Sequence, residues 1–183
     1  MRWFLIMALF AGCPKASLEP ALPEGAGGVI WVSRTPTDSG GQLQAPQVLF
    51  DGLVDALAVE GLLVKPLAPG DDGSALVSAR SDADRILAVV GDQVTEGIVV
   101  LVETRASFFS QLEGRYRWVV NVRAGVAEAS APGAGVVEVF DVPVFLQFEH
   151  QNEAEAVAAA EPVISRHVQR LLRRHLGAEP AGW

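Results

Sequence analysis

A single cysteine stands among 183 residues, so no disulfide can close within the chain and no multi-cysteine zinc site can be built. Histidine is almost as scarce. His167 and His175 fall eight apart on one expected helix, beyond the i,i+4 spacing of a helical metal pair, and His150 lies at a strand end. Surface or helix-end roles account for all three, and His175 suits the negative end of a helix dipole. There is no G-x-S-x-G, and the one cysteine has another use, so a catalytic nucleophile is wanting. The acidic pairs Asp71-Asp72 and Asp82-Asp84 fall in a Gly/Pro loop and at a helix start, where turn and cap chemistry explains them. The expectation is a protein that is not an enzyme and holds no metal or cofactor. Basic residues are also in deficit, 14 against 22 acids, for a net charge of −8. That excludes nucleic acid as the main partner, since phosphate binding needs a dominant basic surface.

Apolar residues, by contrast, make up 50% and charged residues 20% of the chain, which is the balance of a folded single domain. The longest early apolar run, Trp3 to Phe10, is too short for a bilayer, which takes about 20 residues. With Arg2 before it and Ala11-Gly12-Cys13 after it, the segment has the layout of a secretory signal. Apolar, small, small, Cys resembles a bacterial lipobox, with Phe10 where that signal usually carries Leu, Val or Ile. The resemblance implies that Cys13 becomes the first mature residue and carries diacylglycerol and an N-acyl chain such as palmitate. Three chains, at about 0.8 kcal/mol per buried CH₂, hold a protein to a membrane permanently. An ordinary cleaved signal, or a buried structural thiol, is the competing explanation. Pro14, in place of the Asp that resembles an inner-membrane retention signal, favours the outer membrane on its periplasmic side. The expected organisation is a signal over 1–12, a lipidated cysteine and flexible tether over 13–28, one α/β domain over 29–177, and a loose tail over 178–183.

Within the domain the pattern reads β-α-β-α-β-β-β-α. Val29 to Arg34 is β-rich. Pro46 opens a helix that runs to Glu60, with Phe50, Leu53, Val54 and Leu57 as its apolar stripe and Gly61 at its end. Leu62 to Leu67 is a second strand, and Ser81 with Asp84 forms a capping-box pair for a second helix ending near Gly91. Ile98 to Val102 is continuously apolar, as a central strand is. The next strand alternates, with Tyr116, Trp118, Val120, Val122, Ala124 and Val126 on one face. Phe140, Val142, Val144, Leu146 and Phe148 mark another strand, and Pro143 inside it indicates a sheet edge. Asn152 and Glu155 cap a last helix, which reaches Leu176 and is expected to kink at Pro162. The expected fold is one five-stranded mixed sheet, order 2-1-3-4-5, with parallel first strands. The first and last helices cover one face, leaving the other polar and open.

Charge is distributed unevenly. Between 105 and 123 stand Arg105, Arg115, Arg117 and Arg123 against the single acid Glu113. A second cluster, Arg166, Arg170, Arg173 and Arg174, shares one face of the last helix, away from Ile164, Val168, Leu171 and Leu172. A solvated face with dipole compensation accounts for the helical cluster. Cross-strand pairing with Glu103 and Asp141 would account for the other. Phe108 and Phe109 fall beside the first cluster. Being adjacent in a strand, they point to opposite faces, and only one can enter the core. Apolar side chains beside guanidinium groups suit a phosphate-bearing lipid, because Arg grips phosphate in a bidentate fork. The candidate binding residues are Phe108, Phe109, Arg105, Arg115 and Arg117.

A lipobox, a tether and a small α/β domain together resemble the LPS-assembly lipoprotein (LptE-like) family. The segment RASFFSQLEGRYRW, Arg105 to Trp118, is similar to that family's central hairpin, and the Arg-rich last helix fits its pattern. The resemblance implies an accessory subunit with an outer-membrane barrel as partner and a lipid ligand. The second helix looks more like the LpoB, CsgG and TolB N-terminal domains, which implies instead a module that docks on a cell-wall synthase or a secretion machine. A structural lipoprotein without a ligand is the third alternative.

Overall fold

A computed structural model describes residues 26–38, 41–67, 81–90, 94, 96–147 and 152–177. Cys13, the pair Asp71-Asp72, Phe148, His150 and the tail 178–183 lie outside the described residues. In chain order the elements are β1 (Ala26–Arg34), β2 (Leu43–Gln44), α1 (Gln47–Val59), β3 (Leu62–Pro66), α2 (Asp82–Val90), β4 (Ile98–Leu112), β5 (Arg115–Glu128), β6 (Val136–Leu146) and α3 (Glu153–His175). A 3₁₀ turn, Pro132–Ala134, joins β5 to β6.

All strands form one open mixed sheet. Its order is β2-β1-β4-β5-β6, and β3 also pairs with β1. The sheet thus has six strands where five were expected, and the order differs by the insertion of β2. That strand is too short to show a period in the sequence; Leu43 and Gln44 pair with Arg34 and Ser33 at the end of β1. β1 begins at Ala26, inside the segment expected to be tether. Ala26 to Gly28 pair in parallel with Leu62 to Val64, and Gly28 also pairs with Ile98. Glycine is required there, since a Cβ on residue 28 would stand 2.7 Å from the Ile98 carbonyl oxygen. β6 pairs with β5 and lies at the edge, where Pro143 is tolerated.

α1 and α3 pack together on one sheet face. Leu49, Leu53 and Leu57 of α1 and Val157, Ile164 and Val168 of α3 are fully buried there with Val100, Val120 and Val122. The ends of α3 follow their sequence signals: the Asn152 side chain accepts from the Glu155 N–H at 2.8 Å, and Gly177 takes φ 72°. Pro162 sits on the exposed side of an unbroken helix.

The second face departs from expectation. α2 covers part of it, because Ile86 is buried with Trp31, Val99, Leu101 and Ala127 in a separate apolar cluster. β4 is apolar on both sides from Ile98 to Val102, so its Val99 and Leu101 need cover on this face too. Ser81 and Asp84 form the expected capping box, at 3.1 and 3.0 Å. Beyond α2 the face is uncovered and mixed: Arg115, Asn121 and Asp141 are exposed on it, as the alternation of β5 predicts, beside Phe109, Val139 and Phe145, all more than half exposed.

Candidate functional site

β4 and β5 form a long hairpin whose register runs from Ile98↔Glu128 to Leu112↔Arg115. The two linking residues, Glu113 and Gly114, both have positive φ, 49° and 74°, as a tight two-residue hairpin turn requires. β1 ends at Arg34, opposite Thr104, so the last eight residues of β4 run on past it with β5 as their ladder partner. A bulge interrupts the hairpin: Phe108 pairs with Trp118 and Ser110 with Arg117, leaving Phe109 as the extra residue.

The two phenylalanines do point to opposite faces, and neither enters the core. Phe108 leans on the helix-side aromatics, edge-on to Trp118 at 5.6 Å and tilted against Tyr116 at 5.9 Å, yet remains 52% exposed. Phe109 lies on the other face, 64% exposed, with the Arg117 guanidinium 4.6 Å from its ring centroid. A cation stacked on an aromatic face in this way contributes about 0.5–1 kcal/mol at an exposed site. Arg117 stands directly opposite Phe145 in the β5–β6 register. Phe109, Arg117 and Phe145 therefore occupy one row across three strands. The Nε of Arg117 is buried with no hydrogen-bond partner among the described residues. Arg115, two residues along β5, is exposed on the same face.

The structure thus brings Phe109, Arg115 and Arg117 together. It sets Phe108 behind them and Arg105 apart, at the base of the hairpin, where its guanidinium donates to the Thr37 carbonyl at 3.3 Å. Phe145 belongs to the site although sequence reasoning did not single it out. Its signal was available: it is the large apolar residue on the wrong phase of β6, between Val144 and Leu146, which are buried.

The expected acidic partners are engaged elsewhere. Glu103 is buried and takes a two-pronged bond from Arg85, 2.9 Å at each prong. Asp141 accepts from the Asn121 amide at 2.9 Å. Arg123, the fourth cation of the segment, pairs with Asp82 at the start of α2. Of the helical arginines, Arg173 has a structural role, and Arg174 lies 3.9 Å from the Glu138 carboxylate. Arg173 forks onto Glu60 at 2.8 and 2.7 Å, and Gln169 donates to the same carboxylate at 2.6 Å, clasping α3 to the end of α1. The hydrogen bond from Arg173 holds the Glu60 carboxyl below its usual range, against the opposing push of burial, with the charge of Arg173 and the Gln169 bond adding to the effect. His167 stacks on Phe140 at 4.2 Å, which is a packing role. No group of three metal-ligating side chains occurs among the described residues.

No protein-family model and no curated protein matches the chain. Among solved structures, the hypothetical protein CT253 from Chlamydia trachomatis is 11% identical, with 85% of this chain and 100% of that one covered and a TM-score of 0.44. Lipoprotein GNA1162 from Neisseria meningitidis is 10% identical over 78% and 97% of the two chains, TM-score 0.42. A PelC dodecamer from Paraburkholderia phytofirmans is 18% identical over 80% and 91%, TM-score 0.39. Likenesses this loose carry neither a family nor a function over to this chain.

Proposed function

We propose that this chain is a non-catalytic, lipid-anchored envelope protein of the periplasmic side that binds its partner through the open face of the β4–β5 hairpin, as an accessory subunit in outer-membrane or LPS assembly. One observation carries this: a guanidinium group, with its Nε unpaired, lies in a row with two exposed phenylalanines on an uncovered sheet face. Exposed aromatic and arginine side chains in one patch are the composition of a binding hot spot. A guanidinium group pairs with an anionic oxygen, and exposed Phe109 and Phe145 suit acyl or apolar side chains, so a phosphate-bearing lipid matches the surface chemically. The lipobox-like segment at Cys13 supports the anchor.

A second reading, docking on a cell-wall synthase or a secretion machine, draws support from the placement of the chain ends. β1 and β4 are parallel and Gly28 lies beside Ile98, so Ala26 is at the end of the sheet opposite the hairpin turn. Fifteen strand residues separate these ends by about 50 Å, whereas the chain from Cys13 to Ala26 spans at most about 45 Å when extended. An anchored domain standing upright on its membrane would present the hairpin away from it. Photo-crosslinking from positions 109 and 145 in intact cells tests both readings. An outer-membrane barrel or a phosphate-bearing lipid as the product supports the first, and a glycosyltransferase, transpeptidase or secretion component supports the second. Crosslinks that are equally abundant from position 59, an exposed site on α1, would refute the hairpin surface altogether.

A further inference from the structure

The outer edge of β1 is shared by two strands that do not meet. β3 pairs with its first half, as far as Ile30↔Pro66, and β2 with its end, from Ser33↔Gln44. The Ile30 carbonyl accepts from the Leu67 N–H at 2.8 Å on this edge. The pleat turns the N–H and C=O of Val32, two residues on, toward the same edge, into the gap between β3 and β2. A cleft of about 510 Å³ opens there, within the range of small-molecule sites.

Its lining is chemically selective. Trp31, Leu43, Phe50 and Leu67 supply apolar wall. The polar groups are Ser33, Gln42, Gln44 and Gln47, and no Asp, Glu, Lys or Arg lines the cleft among the described residues. An ionic ligand would therefore be desolvated without a counter-charge. A pure hydrocarbon would leave the polar groups facing it unsatisfied. One of these is already without a partner: Ser33 is 2% exposed, and its Oγ makes no hydrogen bond. Gln42 is held in place, accepting from the Thr35 hydroxyl at 3.1 Å and donating to Glu103 at 3.5 Å, and Gln47 donates to Asp51 at 2.7 Å, each amide keeping one further N–H. Carboxamides offer a donor and an acceptor from one group, which matches a hydroxyl that both donates and accepts. The strand N–H and C=O of Val32 match a secondary amide in the same way, as a neighbouring strand would.

We propose that this cleft binds a neutral saccharide bearing an N-acetyl group. Its ring hydroxyls meet Ser33 and the glutamine amides, its acetamide meets the main chain of Val32, and its apolar ring face lies on Phe50 and Leu43. The site is separate from the hairpin, so its failure and the failure of the function proposed above can be told apart.

The test is a titration of the full-length protein with N,N′-diacetylchitobiose, in a detergent without a sugar headgroup, followed by NMR of the glutamine side-chain amides and by calorimetry. Decanoate and maltose serve as comparison ligands. Saturable binding of the diacetyl disaccharide is expected, with shifts at Gln42, Gln44 and Gln47 and weaker binding of maltose. Ser33→Ala should weaken it about tenfold, the loss of one buried hydrogen bond. Gln44→Leu, at an exposed position that does not endanger folding, should weaken it several-fold, while Phe109→Ser leaves it unchanged. Binding of decanoate in preference, diacetylchitobiose binding that neither cleft substitution alters, or no amide shift at ligand concentrations of tens of millimolar would each overturn the proposal.

Discussion

Trp118 tests the packing of the hairpin on the helix layer most directly. It is 7% exposed, its ring receives the edge of Phe108, and its indole N–H has no hydrogen-bond partner among the described residues. Burying an aromatic side chain removes about 150–250 Å² from water. At about 25 cal/mol per Å² that contributes about 4–6 kcal/mol. The unpaired N–H offsets about 1–3 kcal/mol of it. Trp118→Ala should therefore cost about 3 kcal/mol, at the low end of the usual 3–5 kcal/mol for large aromatic truncations. Trp118→Phe keeps a ring against Phe108 and deletes the unpaired donor, so a small cavity and a relieved polar group nearly cancel. Its cost should stay below about 1 kcal/mol. Urea denaturation followed by far-UV circular dichroism measures both, with a constant slope showing that the denatured state is unchanged. A Trp118→Phe variant as unstable as Trp118→Ala would show that the N–H is bonded, and the reasoning would fail.

Four further outcomes are expected. Phe109→Ser with Arg115→Ala should leave the melting temperature nearly unchanged and weaken partner binding by about 2 kcal/mol or more, read by surface plasmon resonance against the crosslinked partner; normal binding would remove the surface from consideration. Cys13→Ser should abolish lipid labelling and release the protein from membranes on fractionation, and unchanged membrane association would sink the anchor. Arg85→Met should cost about 3–5 kcal/mol because it strands the buried Glu103, whereas Arg123→Met, which breaks a solvent-screened pair with Asp82, should cost under about 1 kcal/mol; equal costs in thermal melts would contradict the assigned burial. Since Glu60 has a lowered pKa in the folded state, the clasp to Arg173 is fully stabilising above the ordinary carboxyl value of 4.5 and is lost as pH falls through the folded one. Glu60→Gln should remove that part of the acid dependence, and a pH–stability profile unchanged below 4.5 would count against it.

Much of the architecture was legible because local chemistry and global fold agree. The stripe Leu53 and Leu57, the Ser81–Asp84 box, the Asn152 cap and the period-two alternation from Tyr116 to Val126 each name an element and its buried side. What was misjudged depends on contacts between distant segments. β2 exists because Leu43 and Gln44 find the free edge of Arg34 and Ser33, and two residues carry no period of their own. The face thought to be polar is apolar where α2 lies on it, since side chains such as Val99 and Leu101 belong to a run that is buried on both sides.

The candidate site divides in the same way. By itself the sequence determined the likeness of the segment before Cys13 to a lipobox, the local excess of arginine over acid between 105 and 123, and the opposed directions of Phe108 and Phe109, because these follow from residue order and the pleat alone. Only the tertiary structure decided which arginines are engaged. Arg85 and Asp82 of α2 take up Glu103 and Arg123, and Asn121 of β5 takes up Asp141, through contacts made in space. Pairing of β5 with β6 sets Phe145 opposite Arg117, across 28 residues of chain, and the bulge at Phe109 brings its ring under the same guanidinium. The cleft on β1 belongs wholly to this second kind. It exists because β3 and β2 share one edge without meeting, and the strand register that leaves the gap is settled by packing of the sheet against α1 and α3.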